Sequence, residues 1–312
     1  DAFARCWVQE GRLLQAVGAA LPAAPRPAFE RLRTAWDERG RATWSAAMDV
    51  LAERLTRAAL DREPVVEAGW SGRLRQVGAA LGLRREGTAT PREQAMQALA
   101  ERLDADIRAS TDRLIHLHGL DGRATEAVLT RLAEHYAVQQ PASEGKAAVL
   151  GGLLTGALAG LKADIASGGL TLGGGLLAGG VLGALGAAGL ARGYNLVRGV
   201  EAPSLAWTDE VLTGLVHSAL LGYLAVAHYG RGRGDWTEAE HPDFWYDAVT
   251  QVLQPRTELM EALWSTREGD DDPEDAQHLT AQLRALLRDS SRELLLRLYP
   301  GAGDAIGAPD SP

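Results

Sequence analysis

The stretch AAVLGGLLTGALAGLKADIASGGLTLGGGLLAGGVLGALGAAGLARG, residues 147–193, places Gly152, Gly156 and Gly160 in one series and Gly175, Gly179 and Gly183 in another, which Ala187 and Ala191 continue. At a spacing of four, the members of each series stack along one side of an α-helix and leave a groove without side chains. Two such grooves let backbones approach closely, as small-xxx-small motifs do in bilayers. Ser167-Gly168-Gly169 lies between the two series as a turn. The spacing predicts a glycine-zipper helical hairpin.

Energetics decides what such a hairpin needs. Each interior glycine weakens a helix in water by roughly 0.8–1 kcal/mol relative to alanine. About a dozen glycines fall in these two segments, a summed cost on the order of 10 kcal/mol. That rivals the ~5–15 kcal/mol net stability of a whole domain. Local propensity therefore does not hold these helices; either a bilayer or tight burial between protein helices must. Length fits the bilayer, because residues 165–191 carry no charge and a span needs about 20 apolar residues. Lys146 before the first segment, and Arg192 and Arg198 after the second, fall on one side, as cytoplasmic flanks do. A soluble Gly/Ala-rich pair buried in a bundle remains the alternative. Lys162 and Asp164 lie two apart, so they face different sides of a helix and are not a local pair; near the turn, snorkelling satisfies them.

The flanking sequence has a different character. From 147 to 230 only Lys162, Asp164, Arg192, Arg198, Glu201, Asp209 and Glu210 are charged, against 73 Asp, Glu, Lys and Arg in the chain. Before that stretch, Leu13, Leu14, Val17 and Leu21 predict one apolar helix face, and Leu32, Trp36, Trp44, Met48, Leu51 and Leu55 a long helix over 28–60. Thr90-Pro91 starts another helix, continued by Ala95, Leu99, Leu103, Ile107 and Leu114. After it, residues 211–229 predict a buried core helix capped by Thr208; a third crossing would put Arg231 and Arg233 on the wrong side. Trp245, Val249, Val252 and Leu253 mark one further helix, and Leu279, Leu283, Leu286, Leu287, Leu294 and Leu298 a last one. No β-hairpin signal is evident. The expected organisation is a helical bundle over 1–143, the hairpin over 144–200, a helical region over 201–300 and a disordered tail over 301–312. The fold class is all-α, a multi-helix bundle.

Two arginines, Arg231 and Arg233, sit on a glycine-rich loop beside Trp236. They suit a lipid headgroup, a phosphate or a partner surface, or else a helix C-terminus closed by Gly230.

Catalytic patterns are missing from the sequence. No G-x-x-x-x-G-K-[ST] or G-x-S-x-G occurs, and the seven histidines show no metal-ligand spacing. Cys6 is the sole cysteine, which excludes an internal disulfide and fits a reducing compartment. A net charge of −9 argues against nucleic acid as a partner. The opening DAFARCWVQE has neither Met nor a basic start before an apolar run, which reads as a segment of a longer polypeptide without a signal peptide.

GALAGLKADIASGGLTLGGGLLAGGVLGALGAAGLARGYNLVRG (156–199) and LLGYLAVAHYGRGRGDW (220–236) resemble an uncharacterised bacterial domain that follows an Era-like small GTPase domain, a likeness running from Cys6 to Leu298. It implies a GTPase upstream, with GTP and Mg bound there and no cofactor in this chain. It supplies no catalytic residues. The expected role is a non-catalytic effector and membrane-association module on the cytoplasmic membrane. Alternatives are a soluble helical adaptor or oligomerisation module and a conditional pore-former.

Overall fold

The computed structural model describes residues 6–65, 91–119, 194–198, 203–228, 244–268, 273–301 and 303–306. Most of the described residues are helical, so the class is all-α. Helix α1 is Trp7–Ala20 and α2 is Arg26–Leu60, a 35-residue element rich in Ala, Arg, Glu and Leu, with proline in its first turn. Helix α3 is Pro91–Leu117 and α4 is Asp209–His228. Then come α5 (Phe244–Leu253), α6 (Thr257–Ser265), α7 (Pro273–Leu298) and the short α8 (Gly303–Ile306).

Helix α2 is the spine. Contacts along it run in opposite order to those on α7: Thr56 meets Thr280 (2.9 Å), Asp49 meets Arg284 (2.7 Å), and Ser291 accepts from Trp44 Nε1 (3.0 Å). Helix α3 is also antiparallel to it, through Arg57–Asp106 (2.9 Å), Arg54–Ser110 (3.3 Å) and Arg113–Glu53 (2.9 Å). Helix α5 runs antiparallel to α4, joined by His217–Thr250 (2.8 Å) and by the His228 ring on Trp245. Leu51, Leu55, Leu99, Leu212, Leu220, Leu224, Leu283 and Leu287 lie in one core, which joins helices from before and after residues 120–193.

Helix α4 is the core helix that the orientation argument expects. It is long and apolar enough to cross a membrane, yet 78% of its apolar window is buried inside the protein. Thr208 Oγ1 accepts from the Val211 amide at 3.4 Å, as an N-cap does.

Three expectations need correction. The first is the expectation of no β-hairpin. Strands β1 (Arg62–Pro64), β2 (Tyr194–Arg198) and β3 (Pro203–Trp207) form an antiparallel sheet in the order β1-β3-β2. Tyr194 pairs with Trp207 and Arg198 with Pro203, so β2 lies within the 144–200 stretch assigned to the zipper. No Asn-Gly or Asp-Gly turn announces this pair, and its third strand comes from far upstream, where a local reading does not look. Pro64 sits at the end of edge strand β1, where a missing N–H does no harm.

The second correction concerns α1. Leu13 is 49% exposed and Val17 40%, while the buried positions are Trp7, Val8, Gly11 and Gly18. On α2, Leu32 and Trp36 are likewise exposed. The pair packs through close glycine approaches instead. A methyl carbon on Gly40 would lie 2.6 Å from Trp7 Cε3, one on Gly11 2.8 Å from Asp37 Oδ1, and one on Gly18 3.2 Å from Phe29 Cδ1. Periodicity counts large side chains, and here the interface is made where they are absent.

The third is the first part of the tail, Gly301 and Gly303–Ile306. Ala305 and Ile306 are buried against the core, Arg41 Nη1 donates to the Ala305 carbonyl at 3.1 Å, and Arg12 Nη1 donates to Pro300 O at 3.2 Å. The turn into this segment passes through Gly301 at φ 89°, a conformation that favours glycine.

Candidate functional site

The residues singled out by sequence, namely Gly152, Gly156, Gly160, Gly175, Gly179, Gly183, Lys162, Asp164, Arg231, Arg233 and Trp236, lie outside the described residues. What the described residues bring together is a pair of buried aromatic hubs and a charged cleft.

At the first hub, Trp7 Nε1 donates to the Tyr223 hydroxyl (3.2 Å), and the His118 ring lies 5.9 Å from the Tyr223 ring. This junction ties α1 to α4 and to the end of α3. At the second, His228 contacts Tyr299 and Trp245, with ring centroids 5.6 and 4.8 Å away, and its Nε2 is hydrogen-bonded to the Tyr299 hydroxyl. Both sets are packed against helix backbone, since His118 and His228 Nδ1 each sit by the carbonyl four residues earlier (2.8 and 2.6 Å). His217, over the Tyr246 ring, has its pKa lowered to about 4 by burial, so it is neutral at pH 7. Among the described residues no cluster of His, Cys, Asp or Glu is arranged to hold a metal ion. Cys6 is buried.

The cleft lies where α1 and α2 meet the segment after α7. Its volume is about 360 Å³, and Arg12, Gln15, Arg33, Thr34, Asp37 and Arg41 line it. Arg33 is compensated twice, by Glu30 Oε2 (2.8 Å) and Asp37 Oδ2 (3.2 Å). Arg12 and Arg41 each donate to a backbone carbonyl, which fixes a guanidinium in place without neutralising it. Asp37 is 7% exposed, and its Oδ1 is turned toward Gly11 with no hydrogen-bond partner. Burial pushes this carboxyl above the ordinary aspartate value, against the pull of Arg33 and Arg41. Helical periodicity does not reveal this cleft, because its members come from both ends of the chain; the signal available was three arginines on two consecutive helices.

On another side of the same helix pair, Trp36 Nε1 donates to Glu10 Oε2 at 2.9 Å. Leu13 and Val17, three and seven positions beyond Glu10, and Leu32, four before Trp36, share that side and are exposed.

No curated protein and no solved structure matches the chain. A family model described as "Domain of unknown function (DUF3482)" matches residues 1–293, and the chain belongs to that family.

Proposed function

We propose that this chain is the non-catalytic effector module of a bacterial GTPase and associates with the cytoplasmic membrane through the glycine-zipper hairpin of residues 144–200. An Era-like GTPase domain upstream in the same polypeptide would bind GTP and Mg, and the helical bundle would relay its nucleotide state. Gly152, Gly156, Gly160, Gly175, Gly179 and Gly183 would form the packing stripes, with Lys162 and Asp164 near the interface. Arg231, Arg233 and Trp236 would meet headgroups or a partner.

One observation carries the reading. The most charge-poor, glycine-repeating part of the chain falls between α3 and β2, while helices drawn from either side of it already share one core. A hairpin in this segment would not be needed to join the two halves and would be available to a membrane. Carbonate extraction of membranes from cells making the full-length protein tests this beside a version lacking residues 147–193. The full-length protein should stay with the membrane pellet and the shortened one should be released with its helical circular dichroism intact. Release of both to the same extent overturns the proposal.

A second reading, a soluble adaptor or oligomerisation module, draws on the glycine-mediated packing of α1 on α2. There, Gly156→Leu and Gly179→Leu would lower thermal stability in plain buffer. Unchanged melting of both variants removes it.

A further inference from the structure

We propose that the cleft between α1, α2 and the turn after α7 binds a phosphate group, with Arg12 and Arg41 as its principal ligands. The inference is independent of the hairpin.

Charge supplies the first argument. The protein carries nine more acidic than basic side chains, yet among the described residues three guanidinium groups line this cavity beside a single carboxylate. That carboxylate is directed elsewhere, with Asp37 Oδ2 on Arg33 and Oδ1 covered against Gly11. Among the described residues Arg12 is therefore positioned without a carboxylate partner, and Arg41 faces only Asp37, which Arg33 already shares; each arginine spends one N–H on a carbonyl. A guanidinium has five such donors in a rigid fork, so each retains enough to grip two oxygens of one anion. Three cations facing one buried carboxylate leave a local excess of positive charge that suits a dianion better than a single carboxylate.

Size and lining narrow the ligand further. About 360 Å³ is at the small end of ligand pockets, larger than an inorganic phosphate alone. The Gln15 amide and the Thr34 hydroxyl stand at the wall, so the remainder of the ligand is polar. A diphosphate or a phosphomonoester with a hydrophilic body fits. The same chemistry comes from a soluble phosphorylated molecule or from a phospholipid headgroup.

Calorimetric titration of the full chain with inorganic pyrophosphate should show saturable binding that weakens with salt. Arg12→Gln and Arg41→Gln should each weaken it about tenfold or more, Arg12→Lys by less, and Arg39→Gln on the exposed part of α2 should leave it unchanged. Asp37→Asn should tighten it, because the one repelling carboxylate is removed; a merely structural arginine clamp predicts no such gain. Vesicles of phosphatidic acid in phosphatidylcholine identify the source: competition with pyrophosphate points to a headgroup, its absence to a soluble ligand. The proposal is overturned if neither pyrophosphate nor these vesicles bind, or if binding persists unweakened in both Arg12→Gln and Arg41→Gln while their circular dichroism matches the parent.

Discussion

Replacing Gly40 by alanine should destabilise the protein, although helix propensity alone says the opposite. In the interior of α2 the exchange is worth about 0.8–1 kcal/mol in favour of alanine. The added methyl, however, would lie 2.6 Å from Trp7 Cε3 and 3.2 Å from Cδ2, inside contact distance of a rigid ring. Trp7 is 4% exposed and has nowhere to go. Overpacking of this kind costs about 1–3 kcal/mol, and shifting the indole weakens its 3.2 Å bond to Tyr223, roughly 0.5–1.5 kcal/mol more. The net expectation is a loss of about 0.5–3.5 kcal/mol, read as a lower urea midpoint at unchanged m-value. In a Trp7→Leu background, where the obstacle is gone, the same Gly40→Ala change should become neutral or stabilising. If Gly40→Ala stabilises the parent protein by the full propensity gain, α1 does not rest on α2 at this point and the reasoning fails.

Three further outcomes follow from other parts of the bundle. Arg267 is buried, donates to the Trp207 carbonyl at 2.8 Å and pairs with Asp209; Arg267→Met should cost about 2–4 kcal/mol in equilibrium unfolding. Thr56 and Thr280 share a 2.9 Å hydroxyl contact across α2 and α7, so either Thr→Val change should destabilise by about 1 kcal/mol and the pair together by less than the sum. His217 titrates at about 4 in the folded chain against 6.5 when unperturbed. The unfolded state therefore takes up a proton first, stability falls as pH drops between those values, and His217→Gln should flatten that part of a urea-midpoint profile.

Where the sequence was legible, one local pattern and one burial pattern coincided. Thr208 before an uncharged apolar run marked α4, and the leucine series from Leu279 to Leu294 marked the core face of α7. Pro91 opened α3 as expected. What escaped depends on partners distant in sequence. Strand β3 gains β1 as a neighbour only after the chain has returned to the end of α2. Leu13 and Val17 look like core residues because their spacing is right, yet the α1 interface is set by Gly11 and Gly18, whose signal is a missing side chain. The cleft shares this character, since Arg12 and Arg41 acquire a common purpose only when Pro300 and Ala305 arrive beside them.

Helix α2 is about 52 Å long by its 35 residues, and its lining is lopsided. Before Ala47 only Asp37 is buried on it, whereas from Ala47 to Ala59 most positions are. A single unbroken helix therefore contains two regimes of amide protection. Hydrogen exchange should show residues 26–36 opening with the free energy of a local event and residues 47–59 only with the whole molecule. Solvent would meet α2 as two helices joined end to end, the outer one free to unravel while the inner one holds.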